Sequence, residues 1–590
     1  PTIVLNEESQ ELEEVVIKAE KPLYEMEMGK MVINVPSSIT SAGQSVIDVL
    51  EKSPGVFVNR QNNSFALNGK DGVIVLMNGK RSRMPISAVY QMLEGLNASD
   101  IEKIEIMTVP PAKYDAEGDA GFINIIMKRN NDVGTNGSVM ANLGYGSGLR
   151  SGTSLNLSHQ SKKLSLYGNY SFNYNVSEQL LNMYRMGSND MESMTSSSEA
   201  VRNTNRMAYN FQLGMDYSLT DKTIIGALIS GYNNRFHMNS NSIANFNYSV
   251  STDSLVNIKT EETNHWKHLM GNLNIQHTFK KGQVLTANLD YLTYNNSDPS
   301  QYYNQFFVDQ GTFIRDENSR ISKDTPIDIW VAKLDYSIDL NDNIVLETGL
   351  KGALTSLVND VVYEEKKGDN WVIDDYFSNY ADLSEDVLAA FTSFNIKLNE
   401  KTTINAGLRY EYTNTQLNTP DKSGVVDRKY GDLFPTFFVS RKINENNVLQ
   451  FSYGRRITRP NFNEMAPFVI FTDPYTYFSG SEGILPTYTP NIKGDYSFKN
   501  FIFSLQYSHD NNVIFRFQPE FDPETNVMVI RTDNVDRRET VSTTITLPFE
   551  VTRWWEMQNN LSGNWQRIAT QLESGSYTRD QNGFQVNTSN

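Results

Sequence analysis

Cysteine is absent from all 590 residues. Disulfides, thiolate-ligated zinc, iron–sulfur clusters and thiol catalysis are thereby excluded. Histidine is scarce, at 6 residues, and proline numbers only 19. Long apolar runs are missing as well. Val73–Met77 and Val387–Phe391, among the longest, cover five residues each, whereas a membrane-spanning helix needs about 18 or more. Positive charge is in deficit: 52 Lys+Arg stand against 69 Asp+Glu, a formal charge of −17. A nucleic-acid partner needs a basic footprint, so none is expected. No Ser/His/Asp arrangement, Walker loop or GxGxxG is present. The chain is therefore not expected to be an enzyme or to carry a cofactor.

Aromatics are abundant: 30 Tyr and 30 Phe are too many for a disordered chain. Mean hydropathy is nevertheless −0.46. A large soluble β protein has this profile, and so does a transmembrane β-barrel, whose strands alternate lipid-facing and lumen-facing residues.

From about Asn130 the strands read as long and two-faced. In Thr403–Asn414, Ile404, Ala406, Leu408, Tyr410 and Tyr412 fall on one face, and Asn405, Gly407, Arg409, Glu411 and Thr413 on the other. Phe501, Phe503, Leu505 and Tyr507 oppose Ile502, Ser504, Gln506 and Ser508 in the same way. Two details favour a barrel over a sandwich. The strands run to about 12–15 residues, against a usual 5–6. The connections also alternate, with short turns such as Thr220–Lys222, Lys280–Gly282, Asn399–Lys401 and Phe498–Asn500. Between them stand long polar stretches read as loops: Ser177–Asn205, Asn239–Asn264, Asn296–Asp324 and Arg459–Pro490. This is the outer-membrane pattern. Tyr410/Tyr412 and Trp554/Trp555 suit interfacial girdles. Eight short turns imply seventeen or eighteen strands. Neither Pro1, which no leader precedes, nor the non-aromatic Asn590 looks like a natural terminus, so a signal peptide and further strands are expected outside this sequence.

Residues 1–130 differ. Gln44–Lys52 has helical spacing and stops at Pro54-Gly55. Val73–Met77 is a strand leading into Asn78-Gly79, a hairpin signal. Ser87–Leu93 reads as a second helix, and Ile101–Met107 and Phe122–Met127 as strands. The expected division is a tether at 1–40, a small α/β domain at 41–130 and a transmembrane barrel at 131–590.

The small domain carries a resemblance. Ser45–Val56, with its helix running into Pro54-Gly55-Val56, resembles the opening of the plug of TonB-dependent outer-membrane receptors. Val75–Lys80 resembles their hairpin. Ile101–Ile106 and then Val109–Lys128, through Pro110, Tyr114, Gly118, Gly121 and Asn124, resemble the family's closing run. Two departures bear on the loop: Val109-Pro110 replaces the usual Gly-Pro, and Asp115 the usual Gly after Tyr. Leu12–Ala19 resembles a TonB box of the Bacteroidota type, with Glu14, Val15, Val16, Ile17 and Lys18 at its centre. Tyr453–Pro460 resembles a barrel motif of that group.

The resemblance implies a large barrel, 22-stranded in the family, in the outer membrane of a Gram-negative bacterium. It implies a periplasmic partner, TonB, which would take the box as an added strand. Membrane lipid surrounds such a barrel, and a surface lipoprotein or other outer-membrane subunits are possible partners. The function implied is energised import of a siderophore, glycan or peptide. The alternative is a receptor-like structural subunit of an outer-membrane complex. An open porin is disfavoured by the plug.

The plug glycines read mainly as structural. Arg409, Glu411, Arg459 and one of Arg455/Arg456 are expected to face the lumen and hold the plug. Asp115, Glu117 and Asp119 share one parity; they read as a solvated loop, with a Ca²⁺ site as the alternative. His265 and His268 fall on opposite faces of a strand, so no metal site is expected there.

Overall fold

A computed structural model describes residues 21–589 apart from 39–43, 61–62, 83–85, 129–132, 189–192, 251, 309–310, 467–468, 474–475, 523–526, 553–554 and 573–574. The tether residues Glu14, Val15, Val16, Ile17 and Lys18 lie outside the described residues, as does Trp554.

The small domain is a mixed sheet with two helices. Its strands are β1 (Tyr24–Glu27), β2 (Lys30–Ile33), β3 (Val56–Asn59), β4 (Ser64–Leu67), β5 (Val73–Met77), β6 (Lys80–Arg81), β7 (Ile101–Met107) and β8 (Gly121–Met127). Six of them form one sheet in the order β1-β2-β7-β8-β5-β6, while β3 and β4 pair separately. Residues 24–33, expected in the tether, are thus its first two strands: Met31, Val32 and Ile33 are buried, and β2 ladders onto β7. Helix α1 (Val46–Glu51) starts at a reciprocal cap, in which Ser45 Oγ accepts from the Asp48 amide and the Asp48 carboxylate accepts from the Ser45 amide. Helix α2 (Ile86–Glu94) buries Val89, Tyr90 and Leu93. Ile47, Leu50, Leu93, Ile101, Ile104, Ile123 and Ile125 are fully withdrawn from solvent. Each is worth about 1.5–3 kcal/mol of burial.

The barrel follows from Gly134 to Ser589. Gln283–Ser297 and Ser300–Val308 are one wall strand interrupted at Asp298-Pro299, since both ladder onto Ser254–Lys280. Asn370–Ile373 and Asn379–Asn399 likewise share Ile344–Lys367. Val469–Asp473 and Thr476–Ser479 make a side hairpin. The twenty-two barrel segments therefore amount to eighteen wall strands among the described residues. Gly134–Tyr145 and Gly575–Ser589 stand next to each other in the barrel order. Each is laddered on its other side only, so they meet at a seam, where Tyr145 and Phe584 are 84% and 88% exposed.

Alternation along the wall is as the sequence indicates. Leu408, Tyr410 and Tyr412 are exposed outward, while Asn405, Arg409, Glu411 and Thr413 are buried inward. Three of the expected loops are corrected. The described residues of Ser177–Asn205, Asn239–Asn264 and Asn296–Asp324 continue the ladders. Thr312–Asn341 runs 30 residues, about 100 Å at the strand rise, where crossing a membrane takes about 9–11 residues. The reason is a small core at this end: Met194, Ala244, Phe246, Val256 and Phe306 pack together on the inner face. The fourth stretch does fold as a loop, with a helix at Phe462–Met465, and lays Phe462, Met465 and Ile484 against Leu383 and Leu417.

Gly121 has φ +112°, and a Cβ there would lie 2.3 Å from the Met107 carbonyl oxygen. We expect Gly121→Ala to destabilise the small domain by at least about 1–3 kcal/mol, measured as faster amide exchange at Ile123–Ile125.

Candidate functional site

The sheet order places the β7–β8 loop against the barrel wall. The loop carries Asp115, Glu117 and Asp119, and each carboxylate meets a buried cation. Asp115 accepts from Lys351 Nζ at 2.6 Å and from Arg409 Nη2 at 3.2 Å. Glu117 accepts from Arg81 Nη1 at 2.7 Å and lies 3.5 Å from Arg459 Nη1. Asp119 accepts from Arg538 Nη2 at 2.9 Å and lies 3.5 Å from Lys70 Nζ. The expectation of a solvated acidic loop is therefore corrected. Its carboxylates are neutralised by Lys and Arg, which also leaves no oxygen cage for Ca²⁺.

Main chain reinforces the contact. Gly118 N donates to the Ile457 carbonyl at 2.9 Å, and Ile457 N to the Ala116 carbonyl at 3.0 Å, so the loop adds a β-bridge to the end of Asn447–Thr458. Arg456 donates to the carbonyls of Glu117 and Gly118 at 2.6 and 3.2 Å and lies over the Phe122 ring. Glu411 accepts from the Ala116 amide at 2.9 Å, from Arg459 at 2.8 Å and from Arg409. Burial disfavours the charge on Arg81, yet Glu117 and Asp115 beside it hold the guanidinium more firmly protonated than usual.

Arg409, Glu411, Arg456 and Arg459 thus converge on the loop. Arg455 does not: neighbours in a strand point to opposite faces, and it reaches Asp432 and the Leu433 carbonyl of the barrel itself. Of the Arg455/Arg456 alternatives, Arg456 is the one that reaches the plug.

The small-domain motif residues play local roles. Asn78 (φ +50°) and Gly79 (φ +79°) make the β5–β6 turn. Asn124 Oδ1 accepts from the Gly79 amide, and Asn78 Oδ1 from the Met127 amide. Tyr114 packs edge-on to Phe122. Pro54 and Pro110 are buried. A Cβ on Gly118 would lie 2.5 Å from Ile74. Gly55 N donates to Ser562 Oγ of the wall at 3.1 Å. His265 and His268 stand in Ser254–Lys280 apart from each other, one bonded to Asn233, the other stacked on Tyr294.

Sequence reasoning missed a second cluster. Lys70, just after β4, donates to Asp510 at 2.7 Å, and Arg538 holds the same carboxylate at 2.6 Å. Side-chain exposure is 2% for Lys70 and 0% for Asp510. The signal was available: Asp510 has the inward parity of Gln506 and Ser508, and an inward carboxylate implies a partner.

Many of these anchors stand on the wall from Thr402 onward, while Lys351 holds Asp115, Arg206 pairs with Glu94 and Asn156 donates to Asp100 from the earlier wall strands. Opposite, where Gln283–Ser297 and Ser254–Lys280 stand, Lys80 Nζ donates to Asp290 at 2.9 Å. Two cavities of about 460 and 450 Å³ border Lys80, the first of them also Asp290.

A buried ion pair that loses one member strands the other, at about 3–5 kcal/mol. Arg459→Ala takes one cation from Glu411 and one from Glu117, while Arg409 and Arg81 stay paired with them. The expected outcome is destabilisation below that scale, measured as earlier protease cleavage of the β7–β8 loop in folded barrels.

Comparison with known proteins agrees with this architecture. A family model described as "Outer membrane protein beta-barrel family" matches residues 277–590. No curated protein matches the sequence. Among solved structures, the siderophore receptor PirA from Pseudomonas aeruginosa is similar at 13% identity, with a TM-score of 0.55 over 95% of this chain and 92% of that one. A mutant of the ferric enterobactin receptor PfeA from Pseudomonas aeruginosa, in complex with enterobactin, is also 13% identical, with a TM-score of 0.59 over 94% and 86% of the chains. The copper transporter OprC shares 13% identity and a TM-score of 0.62 over 94% and 84%. At such identities the likeness is one of fold.

Proposed function

The chain belongs to the outer membrane protein β-barrel family and resides in the outer membrane, and from that premise we propose that it is an energy-coupled receptor importing a nutrient past a movable plug. The observation that carries this reading is the small domain's seat. It sits in the lumen, held by many polar links together with local apolar contacts at Ile502, Phe434 and Ile457. Lys351, Arg409, Arg456, Arg459 and Arg538 grip it from the wall. Ion pairs and single hydrogen bonds can be exchanged for water one at a time, whereas a dry apolar interface separates only as a whole. The similar solved structures, a siderophore receptor, a ferric enterobactin receptor and a copper transporter by description, support a receptor or transporter.

Energy would enter through the segment ahead of β1. Val15-Val16-Ile17 is β-branched and flanked by Glu14 and Lys18. Such a run suits pairing with a partner's sheet edge through main-chain hydrogen bonds, and the partner of this chemistry is TonB. The domain division we propose is tether, plug and barrel, with the plug beginning at Tyr24.

Deleting Glu11–Ala19 tests the reading. Growth of the host would be followed on a panel of ferric chelates, oligosaccharides and peptides as sole sources. Loss of growth on one source, with binding of that source to the cell surface retained, is the expected outcome. Unchanged growth on every source, together with stoichiometric protein partners on purification, would instead favour a structural subunit.

A further inference from the structure

One stretch of the plug–wall boundary is bordered by cavities. The two cavities beside the Lys80–Asp290 pair are contiguous. Both are bordered by Asn78, Lys80, Arg81, Met270, Asn288 and Leu292. They run between the β5–β6 hairpin and the wall strands on either side of Gln283–Ser297. Val284 and Gln276 place their lower ends beside the short turn at residues 281–282. Tyr232, Trp266 and Tyr294 form an aromatic band on the outer side.

We infer that solute crosses along this wall, that the Lys80–Asp290 pair closes the passage, and that the lining selects an uncharged, hydroxyl-rich solute of the oligosaccharide class. The inference rests on the transport reading above and names its route and substrate class.

Three observations support it. First, Lys80–Asp290 bridges plug and wall next to open space. Their side chains retain 29% and 14% exposure, against 2% and 0% for Lys70 and Asp510 on the anchored side. Water therefore reaches the first pair and screens it, so it separates at lower cost. Second, the pair is wired into amides: Asn272 Nδ2 donates to Asp290 at 2.7 Å, and Asn274 Nδ2 to Asn272 Oδ1 at 2.8 Å. When Lys80 leaves, Asn272 keeps the carboxylate satisfied, which lowers the penalty of opening. Third, the lining offers amides and phenol rings, and several of its cations are engaged. Lys351 is held by Asp115 at 2.6 Å and Lys333 by Asp335 at 2.7 Å. Lys113 stands over the Tyr114 ring. An anionic chelate would have to break such pairs to be bound. A neutral sugar would find hydrogen-bonding amides and aromatic faces, in cavities within the usual range of about 300–1,000 Å³ for ligand sites.

The test is swelling of proteoliposomes containing the full-length protein, with raffinose as the neutral probe and citrate as the anionic one. Lys80→Ala and Asp290→Ala should each raise raffinose permeability several-fold over wild type, with a smaller rise for citrate. The exchange Lys80→Asp with Asp290→Lys should return it to the wild-type level. Asn587→Ala removes a plug–wall hydrogen bond on the opposite side and should leave raffinose permeability unchanged. If the single variants fail to assemble, Lys80→Cys with Asp290→Cys gives a second measurement. A lysine-length gap is too wide for a direct disulfide, so a short reducible bis-thiosulfonate linker would span it. Permeability should be high when reduced and fall on linking. No rise in Lys80→Ala, an equal rise in Asn587→Ala, or no response to the linker would overturn the route, and equal rises for raffinose and citrate would overturn the solute class. Swelling needs no energy coupling, so failure here leaves the tether-deletion result standing, and failure of that deletion leaves this one standing.

Discussion

Peptide groups have no water to bond with inside a bilayer, and every one that crosses hydrocarbon must find its partner in the protein. An antiparallel sheet rolled round on itself meets this demand strand by strand, up to the seam between Gly134–Tyr145 and Gly575–Ser589. The demand also sets the composition. A wall whose residues alternate between lipid and lumen is half polar, so the chain averages hydrophilic while remaining rich in Tyr, Phe and Leu. A wall of eighteen strands encloses more space than its own side chains can fill. The plug occupies that space, and its polar outer surface is the counterpart of the wall's inward face.

Charge inside such a lumen is tolerable only in company. Asp115, Glu117, Asp119, Glu411 and Asp510 each have cations within reach. Bare burial of any one would cost more than the contact returns. The arrangement therefore specifies where the plug sits more than how strongly it is held. The β-bridge at Ile457 adds direction to that specification, because main-chain bonds fix a register that side-chain charges alone would leave loose.

Much of this was legible from residue order. Parity along Thr402–Asn418 separated lipid-facing Leu408 and Tyr410 from inward Arg409 and Glu411, and the turn residues located the short ends of the hairpins. What stayed hidden has physical reasons. Asn- and Ser-rich stretches such as Ser177–Asn205 look like loops because polar residues occupy both faces. They ladder because a neighbour of equal length offers the same backbone, which no single segment reveals. Arg455 and Arg456 could be assigned to opposite faces but not to an inside until Gln450 and Ser452 showed which parity is buried. The pairing of Lys70 with Asp510, 440 positions apart, depends on how the plug is rotated within the wall, and local pattern carries no record of that angle. The helix stop at Pro54-Gly55 and the Asn78-Gly79 turn, by contrast, were readable because their signals are local in sequence.

The six-stranded plug sheet has two edges with different neighbours. At one edge lies β1, where Asn560 of the anchored wall donates to Tyr24 Oη at 3.0 Å. The opposite edge is β6, which carries Lys80 beside the cavities. A stiff plate fastened along one side behaves as a lever with its fulcrum there. Tension applied to the chain ahead of Tyr24 would load the plate next to its fulcrum, so small displacements at β1 would become larger excursions at the β5–β6 hairpin, where the Lys80–Asp290 pair would take the strain.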